Sequence, residues 1–341
     1  MLSKLNYELT KRRVIQMSKK LTYKFFLFSL IFVILASVLF IGVFTNNTFA
    51  YADEDDGSLD YQEIDVEYNQ NFRVWGKTTL IDFTNARIPW NDFIIVVDDQ
   101  VETLTLTDSG LHRELTGVKL TIESRNTDLT IYIDGMHFVG KNNETLIYNQ
   151  SSKGTVNFVN IGNCPVKFVG TDRTDLGYFK DGIGISGIFY SKGNISFAGE
   201  NGFIIDGGRA VETTYWGNLQ YGNTGLQVAA GKKVYVNTTL NVIGGDGLKG
   251  ACIPGLVGRD GGHGGYAFDG PLANIIISEN GYLTLKGGNG GDGAWQMGNS
   301  GPLGKGGNGC AAYYMSIRVN DSSRFSYEAG VKGADGYYRG Y

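Results

Sequence analysis

The residues best suited to chemistry form three small groups. Asp206, Arg209 and Glu212 fall near one strand end, where two carboxylates beside a guanidinium could hold a cation and present a base. An acid beside an arginine on a loop is equally an ordinary salt bridge. Tyr215 and Trp216 are adjacent, so an extended chain puts one ring on each face. An exposed ring there would be a platform for a sugar; a buried one would be core. Trp295 and Tyr338 form the third group, at matching places of a glycine repeat. Two further motifs fail. Gly225 to Gly231-Lys232-Lys233 has five intervening residues and lacks the Ser/Thr of a phosphate loop. His112, His137 and His263 are scattered without metal-ligand spacing. No catalytic set, metal site or cofactor is expected.

The elements that must position these groups repeat. Glycines fall three apart at 244, 247 and 250, at 287, 290 and 293, and at 330, 333 and 336. A second series runs through 255, 258, 261 and 264, and again through 298, 301, 304 and 307. The blocks recur at a step of 43. Three residues per turn is the geometry of polyproline II, and glycine at every third place leaves one face bare, so that neighbouring helices can approach closely. The arm from Gly244 to Gly250 would reach about 20 Å at ~3.1 Å per residue. The phase breaks at 251–254 and resumes at 255, which predicts a hairpin arm that leaves and returns. Carried through the third block, the step of 43 makes Trp295 and Tyr338 neighbours at the tip. A calcium ladder is not expected, because Asp246 matches Asn289 and Lys332, and Asp292 matches Asp335 but also Lys249.

Ahead of the glycines, short alternating stretches predict strands: Thr103–Thr107, Lys119–Glu123, Leu129–Asp134, Thr155–Val159, Val166–Val169, Asn194–Phe197, Phe203–Asp206, Val234–Val236 and Leu240–Val242. A unit recurs, in which Ile147-Tyr148 or Ile188-Phe189 is followed by a glycine turn, a strand, a second glycine turn and a second strand. Self-similarity on this scale marks a solenoid. We read 53–118 as an amino-terminal cap and first coils, 119–243 as β-helix, and 244–341 as further coils bearing the glycine arms. This repeating unit resembles the secreted right-handed parallel β-helices of the pectate-lyase type, most of all their non-catalytic surface and carbohydrate-binding members. The expected fold is therefore all-β, a right-handed parallel β-helix with polyproline-II-type hairpin insertions near the C-terminus.

What the resemblance implies for catalysis is not matched by the residues. Polygalacturonases on this fold use three clustered carboxylates with Gly-His-Gly and Arg-x-Lys. Here Asp98-Asp99, Asp128 and Gly262-His263-Gly264 come in the wrong order, and no Arg-x-Lys is present. A pectate-lyase role would fall to Asp206, Arg209 and Glu212.

Residues 1–52 read as an export segment. Seven Lys or Arg precede an uncharged apolar run, 25–44, and small residues at Ala50 and Ala52 follow. The run is also long enough for an uncleaved anchor, the one membrane contact expected. Beyond it the chain carries 23 basic and 33 acidic residues, a balance that excludes nucleic acid as a partner. Cys164, Cys252 and Cys310 are too few for a disulfide scaffold. The expected protein is secreted or surface-bound and non-catalytic, and meets polysaccharide or a host or cell-wall surface. The alternatives are a polysaccharide-cleaving enzyme and a structural spacer or ice-binding slab.

Overall fold

A computed structural model describes residues 61–67, 71–86, 93–140, 144–170, 187–208, 222–250, 260–294, 296–297, 303–314 and 316–339. All lie in the unit Phe49–Tyr341. The apolar run 25–44 lies outside the described residues, among which no helix is long and apolar enough to cross a membrane.

The described chain is almost wholly strand, with one 3₁₀ turn at Ser322–Arg324. The strands stack in three parallel ladders. The first runs from Tyr61–Asp65 through Thr78–Asp82, Thr103–Thr107, Leu129–Ile133, Thr155–Asn160, Asn194–Gly199, Lys233–Val236 and Asn274–Ile277 to Arg318–Val319. The second runs from Asn71–Val74 through Phe93–Val97, Ile147–Asn149, Gly187–Ser191, Thr224–Val228 and Phe268–Asp269 to Tyr313–Tyr314. The third runs from His137–Gly140 through Val166–Val169, Phe203–Asp206, Thr239–Ile243 and Tyr282–Lys286 to Phe325–Glu328. Glu114–Ile122 serves the last two ladders at once. Its first half pairs with His137–Gly140, its second with Phe93–Val97 and Ile147–Asn149, and the register shifts between Thr116 and Val118. Gly117 makes that corner at φ 74°, a conformation in which a Cβ would be strained.

Alternation explains why these segments are strands and why they stack. Thr103–Thr107 exposes its threonines partly and buries Leu104 and Leu106, and the pattern repeats from coil to coil. Inward residues therefore fall in columns: Leu104, Ile131, Phe158, Phe197, Val236 and Ile277 are successive partners, all buried. Phenylalanines cluster in the core, where Phe158 stacks on Phe197 at 5.6 Å and meets Phe189 edge-on at 5.1 Å. Buried polar groups form ladders of their own, as where Asn149 Nδ2 donates to Ser191 Oγ at 2.8 Å.

The glycine segments follow the third ladder and lead back to the second. They lie side by side as rods joined by backbone hydrogen bonds. Outgoing rods bond to the next outgoing rod, Gly247 N–H to Asn289 O at 2.7 Å and Gly290 N–H to Val331 O at 2.8 Å. They also bond to the preceding return rod, Gly291 N–H to Gly262 O and Gly333 N–H to Gly307 O, at 2.8 and 2.9 Å. No Cβ fits between them: one added at Gly261, Gly288, Gly290 or Gly307 would meet a neighbouring carbonyl oxygen at 1.9 Å.

The constant step of 43 is corrected. Leu240 and Leu283 are partners 43 apart, but Leu283 and Phe325 are 42 apart. On the return side, Lys305 N–H reaches Asp260 Oδ1 and Asn308 N–H reaches His263 Nδ1, each 45 residues away. The doublets Gly261-Gly262 and Gly306-Gly307 take matching places on the two return rods, against Gly291 and Gly333. Tyr338 consequently pairs with Gln296 and Arg339 with Met297, so the expected Trp295–Tyr338 register is one residue off.

Candidate functional site

Of the residues singled out by chemistry, Arg209, Glu212, Tyr215, Trp216 and Trp295 lie outside the described residues, and of Tyr338 only the backbone pairing is described. Asp206 ends the strand Phe203–Asp206, and its Oδ1 accepts from Gly208 N–H at 2.9 Å. It lines a cavity of 410 Å³ with Asp246, Lys286 and Asn289, at the foot of the outgoing rods. Asp246 is committed as well: its Oδ1 accepts from Asn289 N–H at 2.8 Å. Both carboxylates thus hold backbone in place, which is their first job here.

A different face gathers aromatic and polar side chains. The outward positions of the second ladder are in register from Tyr148 to Tyr190, Gln227, Asp269 and Tyr314. Four steps at ~4.8 Å make this row about 19 Å long. Tyr148 and Tyr190 stack at 5.6 Å, and Lys192 Nζ sits 6.0 Å above the Tyr148 ring. Gln227 Nε2 donates to Asp269 Oδ2 at 3.1 Å. Tyr314, exposed, packs on Tyr266 at 5.0 Å. Beside this end lies a cavity of 560 Å³ lined by Thr224, His263, Tyr266, Asn308 and Cys310, with a floor of rod glycines.

Neighbouring strands fix these side chains. Ile147 and Phe189 are core partners, so Tyr148 and Tyr190 are forced outward together. The recurring Ile-Tyr and Ile-Phe pairs suggested a different alignment, Tyr148 with Phe189. The actual offset is one residue, and parity along the strand, rather than similarity of residue type, reveals it. The face itself was missed from sequence for this reason.

Electrostatics along the row favour neutral groups. Burial raises the Asp269 carboxyl above its ordinary value, and the Gln227 hydrogen bond opposes this only in part. Burial likewise raises the Tyr190 and Tyr266 hydroxyls, helped at Tyr190 by Tyr148 and at Tyr266 by Cys310. Burial also pushes the Cys310 thiol up, so it stays protonated at neutral pH and is a poor nucleophile. His263 Nδ1 accepts from Asn308 N–H at 2.9 Å, which places the proton of the neutral ring on Nε2.

The row holds one carboxyl group, whereas glycoside hydrolysis by the usual route needs two flanking one bond. Elsewhere, Cys164 Sγ lies 3.3 Å from His112 Nδ1. That thiol also contacts Gly135 O at 3.0 Å, and burial, with Asp134 adding to it, raises its pKa, so the pair is not an activated nucleophile. Among the described residues no group of three or more His, Cys, Asp or Glu could hold a metal ion. The arrangement can present the stacked Tyr148 and Tyr190 rings, the half-buried Asp269 and the exposed Tyr314 to an extended, hydroxyl-rich ligand, while Gln227 is buried and braces Asp269. No family model matches the chain, and neither the curated proteins nor the solved structures hold a significant match to it.

Proposed function

We propose that this protein is an exported, non-catalytic binder of polysaccharide, held at the cell surface or released from it. In this reading the three ladders wind as a right-handed β-helix, the hand that parallel crossovers adopt in about 98% of cases. The glycine rods are polyproline-II-type hairpins projecting from its last coils. The observation that carries the reading is the in-register row from Tyr148 and Tyr190, past the buried Gln227, to Asp269 and Tyr314. Rings spaced along a solenoid face suit a chain of sugars, since each offers an apolar face and a hydroxyl. Repeated weak contacts along one chain give useful avidity without a deep pocket.

The ice-binding alternative is less well supported. The outward positions of the rods carry Asp246, Asn289, Asp292, Asp260, His263 and Lys305, which make a polar and charged surface. The cleaving-enzyme alternative keeps Asp206, Arg209 and Glu212, of which Arg209 and Glu212 lie outside the described residues; the Tyr148 row itself offers it only Asp269.

The test is retention on insoluble polysaccharides, run beside assays for reducing ends and unsaturated products. Tyr148→Ala/Tyr190→Ala should keep the fold by circular dichroism and lose about tenfold or more in affinity, the effect of removing well-packed aromatic anchors. Undiminished retention removes this face from consideration, and product release would turn the assignment to an enzyme.

A further inference from the structure

The cavity beside the last steps of the Tyr148 row is built differently from the row itself. Three successive chain passes into the second ladder form it, at 222–224, 263–266 and 308–311. Its floor is backbone, at Gly264, Gly265 and Gly309. Behind each of these lies further backbone: an added Cβ would strike Gly288 O, Asn223 O and Gly330 O in turn. The floor is therefore closed, and a polymer cannot thread through it. Tyr266 joins the cavity to the row, because it lines the one and packs on Tyr314 of the other at 5.0 Å. Of the described residues that line the cavity, none is Asp, Glu, Lys or Arg. At 560 Å³ it falls within the ~300–1,000 Å³ of small-molecule sites.

We propose that this cavity takes the terminal sugar unit of a neutral polysaccharide, with Tyr266 as the ring that the sugar lies against. The proposal rests on the polysaccharide reading for the kind of ligand, and adds which part of it is held and what charge it lacks. Three features select that ligand. A sugar seated on a closed floor can continue only through the mouth of the cavity, so it carries one linkage rather than two. Tyr266 offers an apolar ring face beside polar groups on Thr224, His263 and Asn308, the makeup of a site for a small hydroxyl-rich ring. A uronate or a charged amino sugar would bring a charge that no lining carboxylate, ammonium or guanidinium neutralises, and a half-buried charge without a partner is costly. Asp269, one step back along the row from Tyr314, does not supply that partner. Gln227 Nε2 donates to it at 3.1 Å, and burial favours its neutral form.

The experiment is calorimetric titration of the full chain with neutral trisaccharides of glucose, galactose, mannose, xylose and N-acetylglucosamine, beside trigalacturonate. A neutral trisaccharide should bind and trigalacturonate should not. Ala311 is exposed at the cavity, so Ala311→Trp should fill the site, keep the parent's circular dichroism and lose about tenfold or more in affinity. Ala311→Ser leaves the cavity open and should restore binding. If Ala311→Trp fails to fold, Asn308→Trp, also at an exposed position, fills the site instead. Bound sugar should slow alkylation of Cys310, read by mass spectrometry of its peptide. The soluble polymer of the bound sugar should compete by its number of chain ends, so that cutting it to about a tenth of its length raises its potency per gram about tenfold. The proposal is overturned by failure of every neutral trisaccharide to bind, by equal binding of trigalacturonate, by undiminished binding in the filled variant, or by a potency per gram that cutting leaves unchanged. A parent retained on polysaccharide that binds no trisaccharide overturns the cavity assignment alone. A parent that binds a trisaccharide but is retained on no polysaccharide overturns the row alone, and one that does neither overturns both.

Discussion

Replacing Gly291 by alanine tests the close packing of the rods. A Cβ at Gly291 would lie 1.9 Å from Leu248 O, 2.3 Å from Leu248 C and 2.7 Å from Gly247 O. All three are backbone atoms, so no side chain can swing away. The rods must part by roughly 1.1 Å before the closest contact reaches 3.0 Å. The bonds that flank it are Gly247 N–H to Asn289 O at 2.7 Å and Gly250 N–H to Asp292 O at 2.8 Å. Stretched by that amount, both pass the ~3.2 Å limit of a useful hydrogen bond. Two bonds at about 0.5–1.5 kcal/mol each amount to a loss of about 1–3 kcal/mol. Stiffening of the unfolded chain by alanine returns about 0.4–1 kcal/mol. The net expectation is about 1–2 kcal/mol of destabilisation, centred on the rods. Hydrogen exchange should show faster exchange at Gly247, Gly250 and Gly262, with the amides of Leu129–Ile133 unchanged. Gly231→Ala is the comparison: nothing lies within 4 Å of its added Cβ, and its φ of +70° makes the cost conformational and confined to that turn. If Gly291→Ala melts with the parent and leaves rod exchange untouched, the glycines are not there to admit the neighbouring carbonyl.

Two titrations follow from the same structure. Burial holds His137 below the ordinary 6.5, against the pull of Glu114 at 3.4 Å. The unfolded chain therefore takes up this proton first, so stability is full above pH 6.5 and declines as pH falls from there to the lowered native value. Urea midpoints should show the decline, and His137→Gln should flatten it. The Gly306 N–H, with Lys332, holds Asp335 below the ordinary 3.8. Its contribution is present above pH 3.8 and is lost as pH falls through the lowered value, with the Gly306 amide losing protection over that range. Asp335→Ala should remove that protection at neutral pH too.

Much of the architecture is legible because parity and phase are physical quantities carried by residue type. Leu104 and Leu106 between threonines can bury only one face, and the strand is where they place it. What failed was register. A strand can be recognised from its own alternation, but its partner is fixed by the length of the connection between them, and that length varies from coil to coil. Thus Tyr148 was matched to Phe189 instead of Tyr190, and Tyr338 to Trp295 instead of Gln296. The site was harder to read than the fold for the same reason. Tyr148, Tyr190, Asp269 and Tyr314 are far apart in sequence and become one row only when four registers are known.

The glycine rods show how a register error hides chemistry. Compared at a constant step of 43, Asp246, Asn289 and Lys332 look like a broken cation ladder. With the observed registers Asp246 and Asn289 stay equivalent, and Val331 rather than Lys332 takes the third place. Asp246 Oδ1 accepts from Asn289 N–H, Asn289 Oδ1 from Val331 N–H, and Asp292 Oδ1 from Ala334 N–H, each at 2.8–2.9 Å. Where two glycines open a triplet they spend their amides on two neighbouring rods, and the outward third residue has an amide with no rod to meet. An acceptor side chain on the adjacent rod serves it, which is why outward positions favour Asp, Asn and His. The same comparison puts Lys332 and Asp335 at the places of Gly290 and Gly293, whose added Cβ would strike the return rod at Gly307 O and Gly304 O. Side chains there leave no room for a return rod against 330–336, and Asp335 takes the Gly306 amide in its stead. The stack of rods is therefore closed by the loss of glycine at one phase of the triplet, while glycine is kept at the phase that still faces a neighbour.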